Sequence, residues 1–188
     1  MKNLALPFVA IFLLFSCKKE TKLSEDTSTV TDSTTIAETS KPKNTSAFAA
    51  VEYTPEQTSK LLNGTENDTL YVTNFFATWC GPCIREIPHF KEKMEEMKGQ
   101  PVKFTFISLD EKTIWDTDVK NFVEEHGIAK ETILLDGNLL NPEFFSNNFK
   151  TWKGETIPFT YLKKGDKTQE INGSVTKEEL ETKINSFN

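Results

Sequence analysis

The sequence predicts an α/β fold in which a central mixed β-sheet is flanked by helices, and three observations predict it. Between residues 51 and 188, strand-like and helix-like segments alternate, the pattern of α/β layering. A vicinal cysteine pair, Cys80-Gly81-Pro82-Cys83, sits where a β-branched and aromatic run gives way to apolar residues at helical spacing. Further on, Lys163-Lys164-Gly165-Asp166-Lys167 supplies turn chemistry between two strand-like runs, so an antiparallel hairpin is appended to a parallel centre. This stretch is long enough for one compact domain with a single core.

Taken in order, Pro55 to Leu62 reads as a helix and Thr69 to Phe76 as a buried strand rich in Val, Thr, Tyr and Phe. Ile84, Ile87, Phe90, Met94 and Met97 recur at helical spacing and mark a helix over 82–98. A strand follows at Val102 to Leu109, a helix at Thr117 to His126, a short strand at Thr132 to Leu135 and a helical patch after Asn141-Pro142. Strands at Phe159 to Lys163 and Thr168 to Asn172 form the hairpin. A closing helix at Lys177 to Phe187 carries Leu180, Ile184 and Phe187 as its buried stripe.

The N-terminal 50 residues differ in kind. A short positive start, Met1-Lys2-Asn3, precedes an apolar run from Leu4 to Phe15, which suits the core of a secretory signal and is short for a bilayer span. Leu14-Phe15-Ser16-Cys17 closes it in the manner of a bacterial lipobox, although Phe15 is bulkier than usual. Residues 1–16 are therefore expected to be a signal peptide and Cys17 a lipidated anchor; the alternative is an ordinary secretory signal with Cys17 as a spare thiol. Residues 17–50 are rich in Lys, Thr, Ser, Glu and Asp and poor in large apolar side chains, a composition that cannot offset its ordering entropy. They read as a flexible tether that holds the domain on the order of 30 Å from the lipid. The formal net charge of −6 argues against nucleic acid as a partner.

With Cys17 given to the anchor, the three cysteines resolve into one anchor and one pair. At a strand-to-helix turn the first helical N–H groups lack intrahelical partners and the dipole is positive, so a thiolate at Cys80 is favoured over a thiol. Cys80 is then the attacking nucleophile. Cys83, inside the first turn, is the less exposed resolving thiol. Glu86 lies three residues beyond Cys83 on the same helix face, where its carboxylate can reach the resolving thiol directly or through water; otherwise it is a solvated residue like Glu92 and Glu95. Trp79 is either plain core or a flat aromatic that meets a docked polypeptide. Zinc would need further N or S ligands, and there is no second CxxC. Cu(I) is the better rival, but His89 and His126 read as structural. Trp115 and Trp152 carry no assignment.

The string Trp79-Cys80-Gly81-Pro82-Cys83, between a central strand and a helix, resembles the redox motif of the thioredoxin superfamily. Pro88 falls where that family bends the helix, and Thr156-Ile157-Pro158 looks like its cis-proline segment. Residues 110–150 resemble the βα insertion of the TlpA/ResA-like branch of membrane-tethered thiol-disulfide oxidoreductases, and Glu86 matches that branch's characteristic glutamate. Where thioredoxin keeps a buried aspartate six residues before the first cysteine, this chain has Asn74. Proton handling would pass to Glu86. The resemblance covers roughly residues 51–188 and implies a thioredoxin-like fold with substrate lining from Trp79, Gly81, Pro82, Thr156, Ile157 and Pro158.

It also implies chemistry. A protein disulfide reductase would work by dithiol exchange at Cys80 and Cys83, with Glu86 assisting and no cofactor beyond the reversible Cys80–Cys83 disulfide. Recharging would come from a membrane electron donor of the DsbD or CcdA kind, and Gly81-Pro82 is the dipeptide of reducing thioredoxins. Apocytochrome c and envelope proteins are compatible substrates; a monomer facing the periplasm or extracytoplasmic space and held to the lipid bilayer through Cys17 is expected. The rivals are a copper(I) chaperone, a non-enzymatic thioredoxin-like binding module, and a thiol peroxidase, whose distant resolving cysteine is unlike this twin-cysteine turn.

Overall fold

The computed structural model describes residues 51–64 and 67–187. The expected signal peptide, Cys17 and the tether lie outside the described residues. Among the described residues no helix is long and apolar enough to cross a membrane.

In chain order the elements are β1 (Val51–Glu52), α1 (Pro55–Asn63), β2 (Leu70–Phe76), α2 (Gly81–Glu96), β3 (Val102–Ser108), α3 (Lys120–His126), β4 (Thr132–Leu134), α4 (Pro142–Asn148), β5 (Phe159–Lys164), β6 (Lys167–Asn172) and α5 (Lys177–Asn185). The strands form one sheet in the order β1-β4-β3-β2-β5-β6. β1, β4, β3 and β2 run parallel, whereas β5 joins β2 antiparallel and turns back as β6. The mixed sheet with an appended hairpin is thus as expected. β2 is buried on both faces because helices cover both sides of a sheet in which it is central.

Alternation along β2 divides the interior into two. Leu70, Val72 and Phe76 point to one face and pack with Phe104, Phe106, Ile87 and Phe90, under α2, α3 and α5. Phe75 points to the other and packs with Ile107, Phe144, Phe149, Trp152 and Phe159, under α1 and α4. Caps set the helix starts. Thr54 with Gln57 and Thr176 with Glu179 form reciprocal capping boxes at α1 and α5. Pro88 stands inside α2, where it removes one helical hydrogen bond.

Two expectations are corrected. β1 was not expected, since two residues are too few to show a period. The helix expected over 117–126 begins earlier and irregularly, as a 3-10 turn at Lys112–Ile114 and a π-helical stretch at Trp115–Val119 that leads into α3. Trp115, Val119 and Val123 are all buried, so the π-helical stretch and α3 turn one continuous face to the core. The Trp115 indole N–H also bonds the Asp110 carbonyl at 2.8 Å, tying this stretch to the end of β3.

Candidate active site

The turn between β2 and α2 presents the two cysteines. Cys80 is the N-cap of α2, in extended backbone, and its Sγ accepts the Cys83 N–H at 3.3 Å. A helix N-terminus thus aims a free amide at this sulfur, which favours the thiolate when the pair is reduced. Cys80 and Cys83 form a disulfide with Cα atoms 5.3 Å apart. Cys80 is 4% exposed and Cys83 fully buried, so an incoming group reaches Cys80 first. Trp79 is 72% exposed, which removes it from the core and leaves its ring to solvent beside Cys80.

Asp110 holds this turn from behind. Its buried carboxylate accepts the Thr78 N–H at 3.0 Å, the Thr78 hydroxyl at 2.8 Å and the Ser108 hydroxyl at 2.8 Å. The loop that carries Trp79 and Cys80 is therefore fastened to the end of β3 through a buried and satisfied acid. No spacing rule points to Asp110, because it meets Thr78 across 32 residues of chain.

The Ile157–Pro158 peptide bond is cis. β2 and β5 pair Phe75 with Phe159, and one step further in this register sets Pro158 opposite Phe76, at the end of β2 from which the turn to Cys80 leaves. Thr156 is exposed, Ile157 half-buried and Pro158 buried. The segment before them is fixed at two points. The Glu170 carboxylate accepts the N–H groups of Lys150 at 2.7 Å and Thr151 at 2.8 Å, with a third from Trp152 at 3.3 Å, and also the Thr151 hydroxyl. The Trp152 indole N–H bonds the Thr156 carbonyl at 2.8 Å while its ring stacks on Phe159 at 4.2 Å. Between these points Gly154 has φ +90°, and a Cβ there would come within 2.4 Å of the Phe145 ring. Trp152 and Trp115, unassigned from the sequence, are both positioning groups for the loops around the cysteines.

Glu86 is buried, at 1% exposure, so it is not a solvated helix residue. Its Oε1 accepts an Asn74 N–H at 2.8 Å and its Oε2 the Val175 N–H at 2.9 Å. Burial pushes its carboxyl up to about 7, against the opposing pull of the Val175 and Asn74 donors. Asn74 gives its second N–H to the Thr160 hydroxyl at 3.0 Å. Asn74 thus stands on β2 facing α2, one turn of helix from Cys83 by way of Glu86. Thr160 and the Val175 amide were not foreseen, since they lie 86 and 89 residues from the groups they bind.

The histidines have local partners. His89 Nδ1 pairs with the Val175 carbonyl at 3.2 Å, while His126 Nδ1 pairs with the Phe122 carbonyl at 2.9 Å and stacks on Phe122. Among the described residues no group of three or more His, Cys, Asp or Glu side chains is arranged to hold a metal ion.

Comparison with known proteins places this geometry in context. Residues 48–171 match the AhpC/TSA family. The chain is 33% identical over 110 residues to the thiol-disulfide oxidoreductase ResA of Bacillus thuringiensis subsp. konkukian, covering 57% of each. It is 29% identical over 117 residues to ResA of Geobacillus kaustophilus, covering 61% of this chain and 60% of that protein. The match thus spans under two thirds of the length of these curated relatives. A thiol:disulfide interchange protein of the thioredoxin family from Chlorobium tepidum TLS superposes with TM-score 0.52 at 24% identity, over 63% of this chain and 79% of that one. A DsbF homologue from Corynebacterium diphtheriae gives TM-score 0.51 at 20% identity, over 64% and 73%. The fold is thioredoxin-like.

Proposed function

The chain belongs to the AhpC/TSA family, and we propose that it is an extracytoplasmic, membrane-tethered thiol-disulfide oxidoreductase of the TlpA/ResA type that reduces protein disulfides. The observation that carries this reading is a Cys80–Cys83 disulfide capping a helix one turn from a buried carboxyl poised near neutrality. The similarity to proteins named thiol-disulfide oxidoreductase ResA supports it.

In the reduced enzyme the Cys80 thiolate attacks one sulfur of a substrate disulfide. That bond breaks, a Cys80–substrate disulfide forms, and the departing substrate sulfur takes a proton from solvent. Cys83 then gives its proton to ionised Glu86, directly or through one water, and attacks Cys80 Sγ. The second substrate sulfur leaves as a thiolate and is protonated, while the enzyme is left with the Cys80–Cys83 disulfide. Two electrons have passed to the substrate. A carboxyl that is half ionised near pH 7 suits this task, because it can take the Cys83 proton and return it when the disulfide is reduced again. Recharging requires an external dithiol, here a membrane donor of the DsbD or CcdA kind. The exposed Trp79 ring, Gly81 and Pro82 together with Thr156, Ile157 and Pro158 line the surface against which the substrate strand lies. No cofactor is needed beyond the dithiol itself.

The sequence pattern at residues 1–17 supports anchoring, with Cys17 as the lipidated residue and 17–50 as the tether. The substrates are extracytoplasmic proteins with disulfides, a class with which apocytochrome c and envelope proteins are compatible. A Cys83→Ala variant should accumulate mixed disulfides through Cys80 with these proteins, identifiable by mass spectrometry. Stoichiometric tight Cu(I) binding by the wild type without any reduction of insulin disulfides would instead select the copper chaperone.

A further inference from the structure

Asn74 Oδ1 is buried and has no hydrogen-bond partner, although the rest of its amide is fully engaged. Such an atom in a packed interior asks for an explanation. Both Asn74 N–H bonds point at acceptors, Glu86 Oε1 and Thr160 Oγ1, so the arrangement fits an ionised Glu86. Protonating Glu86 breaks this fit. Its Oε2 already receives the Val175 N–H, which directs the proton to Oε1, where it would face an Asn74 N–H, donor against donor.

Turning the Asn74 amide end for end removes the conflict. Oδ1 then accepts the Glu86 O–H, and the Thr160 hydroxyl, which can donate as well as accept, reverses to give its own proton to the same oxygen. Each arrangement makes two hydrogen bonds from Asn74, but the turned amide leaves its N–H groups where the oxygen now lies unpartnered, so it is the proton on Glu86 that must tip the balance towards it. We propose that Asn74 is a positioning residue for proton transfer at Glu86, its amide presenting N–H to the ionised carboxylate and oxygen to the protonated carboxyl, with Thr160 reversing in step. An aspartate at this place would add a second charge to a buried site; an amide follows the proton without carrying one.

The groups around the carboxyl allow such a device. β2 contributes Asn74, β5 contributes Thr160 behind it, and the lead-in to α5 contributes the Val175 N–H. On α2 the titratable neighbours are Cys83 and His89, each three residues away, the latter bonded to the Val175 carbonyl. Among the charged groups further along α2 and on α5, Lys93, Glu92, Glu96, Lys177 and Glu181 are paired among themselves. Ionisation of Glu86 is therefore answered mainly by reorienting neutral dipoles, and these sit on β2 and β5.

The inference deepens the proposed reductase reading and rests on it. The test follows the Asn74 side-chain amide and the Glu86 carboxyl by NMR across pH, in the oxidised protein so that no thiol titrates. The Asn74 resonances should move with the same midpoint as the Glu86 carboxyl carbon. In Asn74→Leu the Glu86 midpoint should rise, because the ionised form loses a charge-assisted hydrogen bond and the protonated form only a neutral one. The pH profile of mixed-disulfide resolution should move with it. An Asn74 amide unmoved through the Glu86 titration overturns the proposal, as does an unchanged Glu86 midpoint in Asn74→Leu. Should that variant not fold, the wild-type amide titration decides alone. Insulin reduction measured beside it separates the two readings: an active reductase with a static amide sinks this inference only, and a titrating pair in a protein that reduces no disulfide sinks the reductase function.

Discussion

β2 shows its two faces to two different interiors. On the α2 side Asn74 meets Glu86, Thr160 and, through Glu86, the amide of Val175. On the α1 side the next residue, Phe75, meets Phe149, Trp152 and Phe159 with ring centroids 5.7, 4.9 and 5.8 Å away. One face is an aromatic interior whose titratable member, Tyr161, has its phenol pushed above its ordinary alkaline range by burial. The other sets a carboxyl among apolar neighbours, where its ionisation is costly. The contrast shows how one strand can separate stability from ionisation: the aromatic face keeps one charge state through the neutral range, which lets the opposite face carry a group whose charge state can change there.

The aromatic face should dominate stability. Phe75→Ala is expected to cost about 3–5 kcal/mol, the range for emptying a large aromatic from a packed core, while the Cys80 alkylation rate of the folded protein stays unchanged. Urea unfolding beside alkylation kinetics checks both halves. A fall in Cys80 reactivity matching the loss of stability would mean that the two faces are not separate.

Stability on the polar face should depend on pH in one direction. The Glu86 carboxyl is raised from 4.5 to about 7 by burial, so the folded state holds a proton that the unfolded chain has released. Its contribution is therefore fully present below about pH 4.5 and is lost as pH rises through 7, a change of up to about 3 kcal/mol. Glu86→Gln should flatten this decline. Glu96, lowered by its hydrogen bond from Lys93, and Glu179, lowered by the Thr176 N–H and hydroxyl, act in the opposite sense below the ordinary carboxylate range, so the windows do not overlap. Unfolding midpoints from pH 5 to 8 that fall equally in wild type and variant would remove Glu86 from the account.

In kinetics the same variant should leave attack by Cys80 intact and slow resolution by Cys83 on the order of 10²-fold, the usual loss for one general base. Stopped-flow measurement of the two steps distinguishes them, and equal resolution rates would end the carboxylate's catalytic role. The smallest effect is expected at Cys17. Cys17→Ser should release the protein from the membrane fraction with its activity in solution unchanged, and persistent membrane association would overturn the lipobox reading.

How far the molecule was legible depended on distance along the chain. The β2 to α2 turn, the hairpin of β5 and β6 and the buried stripe of α5 follow from periods and turn residues within a few positions of one another. Glu86 was half legible: its place beside Cys83 on the helix is local, but its burial depends on Val175 and Asn74 arriving from elsewhere. Asp110, Thr160 and Glu170 carried no signal, since each acts on a segment between 18 and 86 residues away and resembles any other polar residue near the end of a strand or in a hairpin. The π-helical entry to α3 was hidden for a different reason. The four-residue spacing of Trp115, Val119 and Val123 fits an ordinary amphipathic helix equally well, and only the Trp115 bond to Asp110 fixes where the irregular turn begins.

The stretch from Lys153 to Glu155 hangs between two posts, the Glu170 carboxylate on one side and the indole bond to the Thr156 carbonyl on the other. Neither post uses the side chain of Lys153 or Glu155, and both of these are exposed. Within the bridge the Glu155 carboxylate accepts the Lys153 N–H at 3.1 Å, so Lys153 is the side chain that can be exchanged while the cis bond and the sheet beneath it stay where they are. If the substrate strand lies along Thr156 to Pro158 as proposed, that position is the place to write new specificity, with Gly154 and Glu155 left untouched.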